Sequence, residues 1–197
     1  HQILVPFGAS ILLFYFVIKV MLIVQNIKLR RFVAFIPVSM FIVFNINIYF
    51  SYIIDWYKQV SLIEHIKISH TVHDSSTFLV IDNTKKLNAM NRNKSFIDYT
   101  GFLKKEFKKQ DQFVEEVENY SIDNIVEYLQ YKNNGIYGIN KWIPSRPEFV
   151  LVVDYGSYKV NNIVVIKMML NHLINPEKNM KNIKNILKVK VERVEYG

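Results

Sequence analysis

Two long apolar stretches occupy the first 54 residues of the chain and restrict how it can fold. Residues 3–24 contain one charged side chain, Lys19, and residues 32–54 contain none. At a rise of about 1.5 Å per residue, each stretch would form a helix roughly 33 Å long, enough to cross a hydrocarbon core of about 30 Å. Helices on the surface of soluble proteins keep a polar stripe, which both stretches lack. Residues 1–56 are therefore predicted to form a two-helix transmembrane region.

The charges around these stretches predict their orientation. Residues 25–31 carry Lys28, Arg30 and Arg31, whereas residues 55–67 carry acidic and basic side chains in equal number. Because short cytoplasmic loops are enriched in Lys and Arg, residues 25–31 are predicted to lie in the cytoplasm. The chain is then a multi-pass protein of the cell membrane, with the domain of residues 57–197 outside the cytoplasm.

Polar and aromatic side chains in and after the second stretch indicate its surroundings. Asn45 and Asn47 are predicted to form hydrogen bonds with a neighbouring helix, so other transmembrane helices are expected as partners beside the lipid bilayer. The chain begins at His1 and is apolar almost at once, which indicates the C-terminal part of a longer multi-span protein. Amphipathic rings prefer the headgroup level, so an aromatic belt is predicted at Tyr49, Tyr52, Trp56 and Tyr57.

The composition limits the chemistry and the partners of the remaining residues. About 140 residues follow the apolar stretches, enough for one small domain. The absence of cysteine excludes disulfides, thiolate zinc sites and cysteine nucleophiles. In a membrane context, the formal net charge of +8 favours anionic lipid or an anionic wall polymer as partner, and no nucleic acid is expected.

Hydrophobic periodicity predicts a small α/β domain after the spans. Two short apolar runs closed by polar residues read as central, parallel strands, and a strictly alternating third run reads as an edge strand of undetermined direction. The fold class is therefore two transmembrane α-helices followed by a two-layer or three-layer α/β domain of about three strands with flanking helices. The predicted strands are residues 78–81, 149–153 and 188–194, the predicted helices are 55–69, 95–109, 121–131, 162–174 and 176–187, and loops are predicted at 71–77, 84–94 and 136–147.

Two aspartates are the best candidates for a functional site. Asp82 and Asp154 each follow an apolar strand directly, so in parallel strands both carboxylates would lie at the carboxyl edge of the sheet, where open α/β sheets bind ligands. Paired carboxylates there bind a cation or act as acid and base, and Asn83, Arg92 and Tyr155 would complete the site. The alternative is that both aspartates form turns through backbone hydrogen bonds. No catalytic residue and no cofactor is assigned.

Histidines and familiar motifs give no second site. His65, His70 and His73, near Asp74, lack an HExxH pattern and read as solvent-exposed side chains, so no metal is predicted. The sequence contains no GxxxxGK[ST], no GxGxxG after a strand and no GxSxG. This argues against nucleotide hydrolysis and against a serine hydrolase.

Four lysines recur along the last predicted helix. A solvated helix face explains them, and so does contact with anionic lipid or wall polymer. These side chains are Lys178, Lys181, Lys184 and Lys188.

Part of the chain resembles the C-terminal part of polytopic membrane proteins of low-GC Gram-positive bacteria. The segments that carry this resemblance are DWYKQ at 55–59, FLVIDNT at 78–84 and LNAMNR at 87–92. Those proteins are similar in general plan to cell-envelope glycosyltransferases and polysaccharide-assembly proteins. The likeness covers residues 50–155 and includes no catalytic signature, because the catalytic acid of such transferases lies in an early extracytoplasmic loop. The resemblance implies an accessory extracytoplasmic domain of an envelope glycan-assembly protein. The alternatives are a non-catalytic membrane-anchored domain that binds a ligand or partner and signals through the spans, and a self-contained two-span anchor protein.

Overall fold

A computed structural model describes most of the chain, and its contacts divide the chain into two compact units. The first unit is His1–Tyr49 and the second is Phe50–Gly197. The division falls inside a helix that contributes residues to both units. The described residues are 4–69, 71–72, 77–94, 96–107, 113–116 and 149–193.

Both predicted apolar stretches are helical. Helix α1 is Leu4–Ile23 and helix α2 is Ile27–Ile68, whose 42 residues give a length of about 63 Å. Among the described residues, α2 is the one helix long and apolar enough to cross a membrane, and no residue of its most apolar window is buried. The helical pattern predicted after the second stretch is confirmed as a direct continuation of α2.

The connection between α1 and α2 is shorter than predicted. The break in the helices covers residues 24–26 alone, so Lys28, Arg30 and Arg31 lie in the first turns of α2 and not in a loop. The Oδ1 atom of Asn26 accepts hydrogen bonds from the backbone N–H groups of Lys28 (3.0 Å) and Leu29 (3.2 Å). This cap satisfies backbone N–H groups that otherwise have no partner in the first turn of a helix. Helix α2 therefore begins at Ile27, before the apolar stretch that starts at residue 32.

Asn45 and Asn47 each form a hydrogen bond within α2. The side-chain N–H of Asn45 donates to the carbonyl of Phe41 (2.7 Å), and that of Asn47 donates to the carbonyl of Val43 (3.0 Å). Their hydrogen bonds with a neighbouring transmembrane helix stay a prediction. Of the four rings predicted to form an aromatic belt, Tyr57 is buried in the core of the second unit. Tyr49, Tyr52 and Trp56 are exposed.

The second unit contains a mixed four-stranded sheet. Its strands are β1 (Thr77–Asp82), β2 (Phe113–Glu116), β3 (Phe149–Tyr155) and β4 (Leu187–Arg193), in the order β2-β1-β3-β4. β1 runs parallel to β2 and β3, and β4 is an antiparallel edge strand beside β3. The central, parallel position of the two apolar strands is confirmed. β2 was not expected, because FVEE is too short and too polar to stand out as a strand.

Helices and short turns connect these strands. Two 3₁₀ turns, Lys85–Leu87 and Ala89–Asn91, follow β1, and helix α3 (Phe96–Phe107) comes next. Helix α4 (Asn162–Ile174) and helix α5 (Pro176–Lys184) lie between β3 and β4. Asn161 and Asn175 cap α4 and α5 by accepting backbone hydrogen bonds of 2.9 and 3.0 Å. The helix predicted at 121–131 and the loop predicted at 136–147 fall outside the described residues.

One apolar cluster joins the sheet to helices α2, α3, α4 and α5. Along β1, Phe78 and Val80 alternate towards this cluster, opposite Phe149 and Leu151 of β3. Asp82 is next in the same alternation, so its carboxylate points to the helix-covered side of the sheet and needs a compensating charge there. The fully buried members from the helices are Tyr57, Leu62, Ile66, Tyr99, Leu103, Val165, Met168 and Ile183.

Candidate functional site

An open cleft of about 870 Å³ lies where the parallel strands β1 and β3 end. Parallel strands bring their carboxyl ends to one edge of the sheet, and the segments that follow them form the two sides of the cleft. Leu87, Val160 and Ile186 supply an apolar part of the lining. The polar and aromatic lining is Asp82, Asn83, Lys85, Lys86, Tyr155, Tyr158 and Lys159.

Gly156 brings one side of the cleft against the turn between α5 and β4. Its N–H donates to the carbonyl of Ile186 (2.8 Å), and the N–H of Tyr158 donates to that of Asn185 (3.0 Å). A Cβ atom at position 156 would lie 2.1 Å from the carbonyl oxygen of Asn185. A side chain therefore does not fit here, and glycine allows two backbone segments to meet beside the cleft.

Asp82 forms the turn at which the segment on the other side of the cleft begins. Its Oδ1 atom accepts hydrogen bonds from the backbone N–H of Thr84 (2.8 Å) and from the Thr84 hydroxyl (2.6 Å). Its Oδ2 atom accepts one from the Tyr99 hydroxyl (3.1 Å) and pairs with the ammonium group of Lys58. These contacts agree with the alternative interpretation of Asp82, in which its side chain forms a turn.

Lys58 of α2 is the buried partner that sequence reasoning missed. It is 1% exposed, and besides Asp82 it donates to Asn88 Oδ1 (2.6 Å) and to the Thr84 carbonyl (3.3 Å). The signal that was available is its position beside Tyr57 and Ser61, both on the buried face of the helix.

The pKa values of this pair follow from burial and mutual attraction. Burial lowers the pKa of Lys58, and the Asp82 carboxylate opposes that effect only in part. For Asp82, burial acts to raise the pKa, but Lys58 and the hydrogen bonds from Thr84 outweigh it, so the pKa lies below its usual value. Asp82 is therefore ionised at neutral pH and poorly suited to supply a proton to a ligand.

A second buried ion pair connects α2 to the segment after β1. The Nζ atom of Lys94 lies 2.7 Å from Oδ1 of Asp55, and the Phe102 ring is 5.1 Å from the same nitrogen. Both charged side chains are almost fully buried. Together with Lys58 and Asp82, this pair fixes the turn segment that borders the cleft.

The two aspartates predicted to act together lie on opposite faces of the sheet. Asp82 is opposite Val153 in the β1–β3 register, so the next residue, Asp154, points to the other side. Asp154 is half-buried and accepts a hydrogen bond from the Asn83 side chain (2.8 Å). They do not form the acid–base or cation site that their spacing suggested.

The other predicted site residues divide between the cleft and its surroundings. Tyr155 lines the cleft with Asp82. The pKa of Tyr155 is raised mainly by burial, and the Asp82 carboxylate adds to this effect. Asn83 also lines the cleft. Arg92 does not: its guanidinium lies 3.5 Å from the Asp98 carboxylate, on the surface.

His65 has a structural role and is not the solvent-exposed residue that was predicted. Its Nε2 atom lies 3.0 Å from the carbonyl oxygens of both Lys184 and Leu187, so Nε2 carries a hydrogen and donates it. One turn earlier, Ser61 donates to the same Lys184 carbonyl (3.0 Å), which ties α2 to the end of α5. His70, His73 and Asp74 fall outside the described residues. Within the residues described, no group of three or more His, Asp or Glu side chains is placed to hold a metal ion.

The four recurring lysines do not form a single row. Lys178 and Lys181 are exposed on α5, and Lys184 is half-buried. Lys188 lies in β4, opposite Asp154 in the antiparallel register. Helix α5 ends before Lys188 because the chain turns at residues 185–186 to enter the sheet.

The described part of the cleft lining is positively charged. Among the described lining residues, the one carboxylate is that of Asp82, which is compensated by Lys58, whereas Lys85, Lys86 and Lys159 add three ammonium groups. Among the described residues, neither Lys86 nor Lys159 forms an ion pair. Their position directly after two parallel strands was the sequence signal that could have identified them.

Comparisons of the chain with protein-family models, curated proteins and solved structures find no match.

Proposed function

We propose that the chain is a membrane-anchored binding protein whose α/β unit takes an anionic ligand in the cleft at the ends of β1 and β3. The observation that supports this most is the charge of the described lining residues, which include three lysines and one carboxylate that already has a buried partner. A volume of about 870 Å³ is in the range of small-molecule sites. Binding sites for organic ligands commonly lie at this edge of a parallel sheet.

The chemistry of the lining supports binding rather than catalysis. General acid–base catalysis needs a group that exchanges a proton near neutral pH. Asp82 is held ionised by Lys58 and Thr84, and Asp154 points away from it across the sheet. The lysines and tyrosines of the lining suit electrostatic and hydrogen-bonding contacts with a ligand.

A phosphorylated sugar is the ligand class that we propose. Lys86 and Lys159 would contact the phosphate, since lysine is a common phosphate ligand in proteins. Tyr155 and Tyr158 line the same cleft and offer rings and hydroxyl groups to the sugar. This class agrees with the resemblance to envelope glycan-assembly proteins, of which the unit would be an accessory domain.

The membrane anchor is the second part of the proposal. The length and apolar composition of α2 support a membrane span, and α1 supplies 20 further residues of apolar helix. Lys28, Arg30 and Arg31 at the start of α2 favour a cytoplasmic position for that end. The α/β unit would then lie outside the cytoplasm.

Replacing Lys86 and Lys159, which form no ion pair with another described residue, should weaken ligand binding. In the variant Lys86→Ala/Lys159→Ala, we expect the affinity for glucose 1-phosphate to fall at least about tenfold, because two charge-assisted contacts are lost. Isothermal titration calorimetry of the detergent-solubilised chain measures this, with inorganic phosphate and glucose as further probes. The matched control is Lys188→Ala/Lys190→Ala on β4, which removes the same charge outside the cleft and should keep the affinity. Equal weakening in both variants, or no binding to the unaltered chain, would contradict the proposal.

A further inference from the structure

Helix α4 has an apolar surface on the side that faces away from the core. Val165 and Met168 are buried against the sheet, as expected for a helix packed on a core. At 100° per residue, the opposite side of the helix would normally be polar. Here it is aliphatic, with exposed fractions of 66% at Ile163, 46% at Ile166, 54% at Leu170, 81% at Leu173 and 80% at Ile174.

Exposed basic residues lie on α4 and on the helix that follows it. Lys167 is exposed on α4 itself, and α5, which follows after the single residue Asn175, exposes Lys178 and Lys181. Within residues 162–184, all of which the structure describes, Glu177 is the one acidic residue. The two helices that carry the aliphatic surface therefore have a net positive charge.

We propose that this α4 surface docks onto an anionic lipid bilayer. Aliphatic side chains enter the boundary between headgroups and acyl chains, while flanking lysines pair with anionic headgroups. Protein interfaces are enriched in aromatic residues, Met and Arg, whereas the five most exposed apolar side chains of α4 are all Ile or Leu. The proposal goes beyond ligand binding in the cleft, because it assigns a second surface and a partner of another class.

Lipid quenching tests the contact in the full chain. The chain contains no cysteine, so a Leu173→Cys variant carries one thiol for an environment-sensitive fluorophore. The matched control is Lys190→Cys on β4, also exposed. Each labelled chain is reconstituted in phosphatidylcholine vesicles containing a nitroxide-labelled lipid, with or without phosphatidylglycerol. We expect quenching at position 173 to exceed that at position 190 by about threefold or more, and to increase with phosphatidylglycerol.

A charge variant separates lipid docking from other contacts. Lys167→Ala/Lys178→Ala/Lys181→Ala, combined with the label at position 173, should lose the increase caused by phosphatidylglycerol. Equal quenching at positions 173 and 190 would overturn the proposal. Energy transfer between labels at position 173 on different chains, without lipid quenching, would overturn it in favour of a second copy of the chain. The cleft is untouched by these substitutions, so binding of glucose 1-phosphate reports separately on the proposed function.

Discussion

Replacing Lys58 by methionine should lower the free energy of unfolding of the α/β unit by about 3–5 kcal/mol, the cost of removing one partner of a buried ion pair. Methionine has nearly the same length but leaves the Asp82 carboxylate buried without its cation. It also removes the donor that serves Asn88 Oδ1 and the Thr84 carbonyl. Urea unfolding of the detergent-solubilised chain, followed by tryptophan fluorescence, measures the change.

The same substitution at Lys67 is the matched control for Lys58. Lys67 lies on the same helix but is partly exposed, with ion pairs to Glu64 and Glu106. Its replacement by methionine should cost less than about 1 kcal/mol, because exposed ion pairs are screened by solvent. Equal losses at Lys58 and Lys67 would contradict the role of the buried pair.

The pH dependence gives a second readout of the Lys58 variant. In the unaltered chain the pKa of Asp82 is lowered, so its stabilising contribution is present above the usual pKa of about 3.9 and is lost as the pH falls through the folded-state value. Without Lys58, burial acts to raise the pKa of Asp82. The sign then reverses, and the Lys58→Met variant should be destabilised less at pH 4 than at pH 7.

Gly156→Ala is the second substitution with a large expected effect. The new Cβ would lie 2.1 Å from the carbonyl oxygen of Asn185, a backbone atom that cannot move aside alone. We expect the free energy of unfolding to fall by about 2–4 kcal/mol, as for other overpacked buried sites. Displacement of the residue 185–186 turn should also weaken binding of glucose 1-phosphate.

Gly101→Ala is the matched control for Gly156→Ala, because it adds the same methyl group but should stabilise the unit. Gly101 is exposed inside α3, and a Cβ there meets no atom within 4 Å. Alanine should stabilise the unit by about 0.5–1 kcal/mol, because glycine loses more backbone entropy in a helix. Destabilisation at position 101, or no effect at position 156, would contradict the described packing.

Regular elements were predictable because their signals are local. The helix at 162–174 was predicted with the bounds that the structure gives α4, since its length favours a helix over a strand and the Asn175-Pro176 stop marks its end. The apolar runs before Asp82 and Asp154 identified two central strands for the same reason. An alternating pattern was enough to place the last strand at an edge.

The site was less predictable because it depends on contacts between distant segments. Lys58 and Asp82 meet only when α2 packs against the end of β1, and no local pattern reports that packing. The separation of Asp82 and Asp154 depends on strand register, where a shift of one residue reverses the face. The lysines at 85, 86 and 159 lie in two segments that are distant in the sequence, and only the fold brings both segments to one cleft.

The side of the membrane on which the α/β unit lies is the decisive measurement for the proposed function, because it determines which ligands can reach the cleft. Single cysteines are introduced as Lys28→Cys at the start of α2 and Lys190→Cys on β4, both at exposed positions of a chain without cysteine. Intact cells are treated with a membrane-impermeant maleimide before and after permeabilisation. We expect labelling at position 190 in intact cells and at position 28 only after permeabilisation. Labelling in the reverse order, or release of the chain from membranes by alkaline carbonate, would contradict the proposed anchor and its orientation.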